Sequence, residues 1–101
     1  MARGDTKIDL VRVSASGSTD IRPDANDEWI VKMVSLNNNA NVRVEMRDST
    51  GNVAYVIAGD KLTDIGGKMN FPISRDYYLR IYNGHSGAQD VAWGAIITKD
   101  G

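Results

Sequence analysis

The sequence predicts an all-β protein: a single antiparallel β-sandwich of about eight short strands, connected in a jelly-roll-like way. Three observations point there. Short runs of alternating apolar and polar residues recur along the chain, each closed by Gly, Asn, Asp, Ser or Pro. No stretch carries the longer apolar period of an amphipathic helix. The 101 residues, 42% of them hydrophobic, allow one modest core that buries roughly 60 to 65% of the surface the unfolded chain exposes. The runs therefore belong to one domain, residues 6–101, preceded by a flexible N-terminal arm, residues 1–5.

The first run, residues 6–15, changes parity: Ile8 and Leu10 share one face, and Val11, Val13 and Ala15 the other. A bulge or a change of sheet is expected near Leu10. Gly17-Ser18 turns the chain into a short extended piece at 19–22, and Pro23 opens a polar loop. In residues 28–36, Trp29, Val31 and Met33 fall on one face and Ile30, Val34 and Leu36 on the other, so both faces are expected to be partly buried.

A polar turn at 37–41 leads to the cleanest alternation, with Val42, Val44 and Met46 inward and Arg43, Glu45 and Arg47 on a wet outer face. Residues 48–52 read as a hairpin turn in which Gly51 supplies positive φ, and 53–58 return antiparallel. Residues 59–68 are irregular, pinned to the core by Leu62 and Ile65 and leaving through Gly66-Gly67. Met69, Phe71 and Ile73 then share a face, and Pro72 marks an edge strand or a strand end. Tyr77, Leu79 and Ile81 alternate with Tyr78, Arg80 and Tyr82 before a loop tip at 83–87. The last run, 91–98, sets Trp93, Ala95 and Ile97 on a core face, and Trp29 reads as core with them.

Composition narrows the chemistry. Twelve Lys plus Arg against thirteen Asp plus Glu give a formal charge of -1, so no summed field draws the chain onto nucleic acid or an anionic membrane. No run reaches the ~18 apolar residues of a membrane span, and residues 1–7 hold no signal-peptide core, so a soluble protein made in the cytoplasm is expected. With no Cys there are no disulfides, thiolate metal sites or Cys nucleophiles. His85, the only His, has no second His or Cys with which to hold a metal and reads as a loop residue.

No Ser or Asp stands in a nucleophile elbow. Gly66-Gly67-Lys68 echoes a phosphate loop, but Leu62 replaces its first Gly and Met69 its Ser or Thr. Residues 48–52 and 59–64 carry oxygen ligands without the spacing of a calcium loop. Catalysis, metals and cofactors are therefore not expected. Arg3-Gly4-Asp5 spells an integrin-binding tripeptide, which three common polar residues at a free end form by chance. The candidate surface is Tyr78, Arg80 and Tyr82: two rings flanking a guanidinium make an amphipathic platform for a protein interface or a sugar.

The succession Ile21-Arg22-Pro23, Glu28-Trp29-Ile30-Val31, Asn70-Phe71-Pro72-Ile73-Ser74, Tyr77-Tyr78-Leu79-Arg80-Ile81-Tyr82-Asn83 and Trp93-Gly94-Ala95-Ile96-Ile97-Thr98 resembles small β-sandwich virion-surface proteins of tailed bacteriophages, the capsid decoration or cement proteins. The resemblance implies a non-enzymatic structural role on the virion surface, with the major capsid protein and further copies of the chain, as a trimer, for partners. On that reading Tyr78, Arg80 and Tyr82 are expected at a subunit interface, and Arg3, Gly4, Asp5, Thr6 and Lys7 in a capsid-anchoring arm free to add itself to a neighbour by strand pairing. The alternative is a carbohydrate-binding module or tail receptor-binding domain, in which the same platform and the His85 loop contact a glycan.

Overall fold

The computed structural model describes residues 4–36, 41–64 and 66–99. Along these run β1 (Thr6–Val13), β2 (Ser18–Ile21), β3 (Glu28–Leu36), β4 (Val42–Asp48), β5 (Val53–Ala58), α1 (Gly59–Asp64), β6 (Lys68–Ser74), β7 (Tyr77–Asn83) and β8 (Gln89–Lys99). They form two four-stranded sheets, β1-β8-β3-β6 and β2-β7-β4-β5, with every neighbouring pair antiparallel. Each connection crosses from one sheet to the other except the β4–β5 hairpin. That is the strand order of a jelly roll; the all-β sandwich is as predicted, while short antiparallel runs alone do not separate this strand order from an immunoglobulin-like one. No helix among the described residues is long and apolar enough to cross a membrane.

The core lies between the sheets. Val13, Val31, Val34, Ile73, Val91, Ala95 and Ile97 face Ile21, Val42, Val44, Leu79 and Ile81, all buried. Each Val, Leu or Ile among them contributes about 1.5–3 kcal/mol on leaving water. Trp29 and Trp93 are also buried and stack, with ring centroids 5.9 Å apart and planes 23° from parallel.

The β4–β5 turn forms as the sequence predicts, with Gly51 at φ +97°. The segment expected to be irregular instead opens with the six-residue α1, whose Leu62 is fully buried. Gly67 fastens the exit: its N–H donates to Leu62 O and its O accepts from Val34 N, both at 2.9 Å. A Cβ there would stand 2.5 Å from Val34 O, at a φ of +75°, so the position needs glycine. Ile65 lies outside the described residues. Pro72 is on β6, an edge strand, as predicted.

Four expectations are corrected. No bulge interrupts β1, which pairs with β8 in unbroken register from Thr6↔Ile96 to Val13↔Gln89. Its mixed parity means that both faces are apolar: Val11 and Val13 pack on the core, while Ile8 and Leu10 stand in solvent, 71% and 72% exposed. The bulge is in β3, between Val31 and Met33. An inserted residue reverses the side-chain phase, so Trp29, Val31, Val34 and Leu36 face inward and Met33 faces out beside Gly94.

The arm is the third. Gly4 N–H donates to Ile97 O at 2.7 Å and Ile97 N–H to Asp5 O at 3.0 Å, so residues 4 and 5 continue the β1–β8 ladder instead of hanging free. Thr6 and Lys7 are β1 itself. Met1, Ala2 and Arg3 lie outside the described residues. Tyr77, expected inward with Leu79, is exposed at the lip of the sandwich, where β7 begins.

Candidate functional site

The predicted platform occupies the outer face of the second sheet, where β2, β7 and β4 lie side by side and set its residues in rows. Asp20 opposes Arg80, which opposes Glu45; Tyr82 opposes Arg43, and Tyr78 opposes Arg47. Directly opposed side chains on one face are within reach of each other.

Arg80 clamps Asp20 with two hydrogen bonds, Nε to Oδ1 at 2.6 Å and Nη2 to Oδ2 at 3.1 Å. That pairing holds Arg80 more firmly in its charged form. Arg43 Nε donates to Glu45 Oε2 at 2.6 Å and Arg47 Nη2 to Oε1 at 3.0 Å. Glu45 is thereby only 5% exposed, although it lies on the face expected to be wet. Burial pushes its carboxyl up, but the two guanidinium groups outweigh this and hold it below the usual carboxylate range.

The rings are covered as well. The Arg22 guanidinium lies 4.2 Å from the Tyr78 ring centroid and that of Arg43 4.4 Å from Tyr82, both in cation–π geometry. Tyr78 is 6% exposed. A sugar that stacks on tyrosine needs an open ring face, and here an arginine already lies over each ring. What the surface offers is four guanidinium groups, Arg22, Arg43, Arg47 and Arg80, with Asp20 and Glu45 paired directly among them and Asp76 reached from Arg22 through Ser49 Oγ. It is a fixed, locally basic patch on a chain whose formal charge is -1.

No family model and no curated protein matches this chain. Its chemistry is therefore read from its own surfaces. The first sheet presents the opposite kind of face: Ile8, Leu10, Met33 and Ile96 stand on its outer side, over Gly94. Sequence reasoning passed over this face because it assigned the parity of β1 to a bulge. The signal was Ile8 and Leu10 themselves, two apolar residues out of phase with Val11 and Val13.

His85 braces its own loop. Its Nδ1 accepts from Gly87 N–H at 3.1 Å and lies 3.1 Å from the Gln89 side-chain amide nitrogen. Asn83, which the sequence did not single out, is the centre of that loop. Among the described residues no three His, Asp or Glu side chains come together as a metal site would require. The arm residues Gly4, Asp5, Thr6 and Lys7 are brought to the β1 edge of the first sheet, on the sheet opposite Tyr78, Arg80 and Tyr82.

Proposed function

We propose that this chain is a non-enzymatic structural protein of a phage virion, which decorates and stabilises the capsid by binding the major capsid protein and its own copies. The observation that carries the reading is the contrast between the two outer faces of one jelly roll. One is a pre-organised basic patch whose charges are fixed by one another, and the other exposes Ile8 and Leu10. Rigid polar groups cost little to order on binding, and an apolar centre supplies the driving force for association. The phage setting follows from the resemblance carried by the strands from Ile21 onward.

Capsid contact is assigned to Arg80 with its arginine neighbours Arg22, Arg43 and Arg47, which fit an acidic surface on the shell; Tyr78, 6% exposed, and Tyr82 support two of those guanidinium groups from beneath. The arm is a weaker anchor, because the backbone of Gly4 and Asp5 is already engaged by Ile97. A weak contact repeated over a lattice gives strong overall attachment. A guanidinium over each ring favours this reading over the glycan-binding alternative, which needs an open ring face.

The test is co-sedimentation with shells built from the major capsid protein of the same phage. Saturable binding that Arg43→Glu reduces at least about tenfold, in a variant with an unchanged circular dichroism spectrum, supports the proposal. Folded wild-type protein that stays in the supernatant at every concentration overturns it.

A further inference from the structure

We infer that the outer face of the β1-β8-β3-β6 sheet is a two-fold contact between two copies of this chain, with Leu10 of each seated in the hollow over Gly94 of the other. The inference deepens the reading above, of which it takes only the self-association. Both halves of the fit are on one face. The hollow, about 260 Å³, is lined by Ile8, Met33, Gly94 and Ile96 among others. Gly94 keeps its floor low: a Cβ there would come within 3.1 Å of Met33 Cγ. Leu10 projects one row away, opposite Ala92, with 72% of its surface exposed. A knob and a hole side by side on the same surface are satisfied by a second copy turned through a two-fold axis, because each copy then gives and receives the same contact.

Size and charge agree with that occupant. Four strands at ~4.8 Å spacing and β1's eight residues at ~3.3 Å per residue give a face of about 500 Å². Two such faces bury about 1,000 Å² together, which is the lower end of what specific interfaces need. The apolar centre is bounded at one end by the Arg12–Asp90 pair, 3.1 Å, and at the other by Lys99–Glu28, 3.7 Å. Both signs occur at each end, so a copy of the same chain meets no net repulsion at the rim.

Pairing through the β1 edge is disfavoured instead, because the Leu10 N–H, which would join such a ladder, is taken by Asp9 Oδ1 at 2.9 Å. The face therefore dictates a dimer, not the three-fold arrangement that the resemblance implies.

The experiment is sedimentation equilibrium over a wide concentration range, for wild type, Leu10→Glu and Val53→Glu. Leu10 and Val53 are both exposed, so neither substitution disturbs the core. The expected result is a concentration-dependent dimer for wild type and Val53→Glu, and a dimer about 30-fold weaker or absent for Leu10→Glu. A wild-type monomer throughout, an oligomer of another size, or a dimer indifferent to Leu10→Glu overturns the inference. Wild-type protein that forms this dimer but fails to co-sediment with capsid shells would overturn the capsid reading alone.

Discussion

The side-chain amide of Asn83 donates to the carbonyl oxygen of Val13 at 3.1 Å, tying the end of β7 to the end of β1 across the two sheets. The same Nδ2 lies 3.2 Å from Ser14 O and 3.0 Å from Gly87 O, and Oδ1 accepts from His85 N–H at 2.9 Å. Asn83 is fully buried, so its removal takes a hydrogen bond from Val13 O, Gly87 O and His85 N–H in a buried or half-buried setting, while Ser14 O keeps the Gly17 N–H. Asn83→Ala is expected to cost about 3 kcal/mol in urea unfolding. Asn83→Asp should be no better, because a carboxylate would face the carbonyls that the amide now serves. A loss under ~1 kcal/mol would contradict this account.

Glu45 is the shared acceptor of Arg43 and Arg47, and it is the buried member of the three. Deleting the acceptor strands two guanidinium groups, whereas deleting Arg43, which is half exposed, leaves Glu45 with Arg47. Glu45→Ala should therefore lower stability by about 1–3 kcal/mol and Arg43→Ala by less than ~1 kcal/mol. Comparing the two by thermal melting checks the order; equal losses would refute it.

Acid should loosen the β4–β5 turn before the core fails. The Asn52 side chain and N–H, then Thr50, hydrogen-bond the Asp48 carboxylate and lower its pKa from 3.8 to about 2. A carboxyl depressed in the folded state stabilises fully above its unfolded pKa and loses that contribution as pH falls through the folded one. Wild-type stability should thus decline between pH 3.8 and about 2, with the depressed Glu45 adding loss in the same direction. Asp48→Asn should be less stable than wild type at neutral pH and show a shallower acid decline, measured as melting temperature against pH.

Trp29 and Trp93 stack in the core with both indole N–H groups buried and, among the described residues, without a hydrogen-bond partner. Tryptophan emission should be blue-shifted and insensitive to acrylamide until the protein unfolds. Coupling between the rings should give an exciton band in circular dichroism that either Trp29→Phe or Trp93→Phe abolishes. Because neither substitution forfeits a hydrogen bond, each should cost less than the ~3–5 kcal/mol of truncating a buried Trp to Ala.

Strand existence was written in the local pattern. The Val42, Val44, Met46 alternation, the Gly51 turn, the Leu62 pin and the Pro72 edge could each be read in sequence, because each depends on one residue's own φ, hydropathy or missing N–H. The candidate platform was legible to the same extent: parity put Tyr78, Arg80 and Tyr82 on one outer face. It could not show that Arg22 and Arg43 cover the rings or that Glu45 is buried, since those partners come from β4 and from the end of β2.

The sequence by itself determined an all-β chain with its strands and turns, because side-chain period and turn chemistry act over a few residues. The tertiary structure alone decided the jelly-roll order, the bulge in β3 and the outward face of Ile8 and Leu10. Parity separates the two faces of a strand but does not say which one meets the other sheet. That choice belongs to pairing between distant segments, such as β1 with β8, whose register only the packed sandwich fixes.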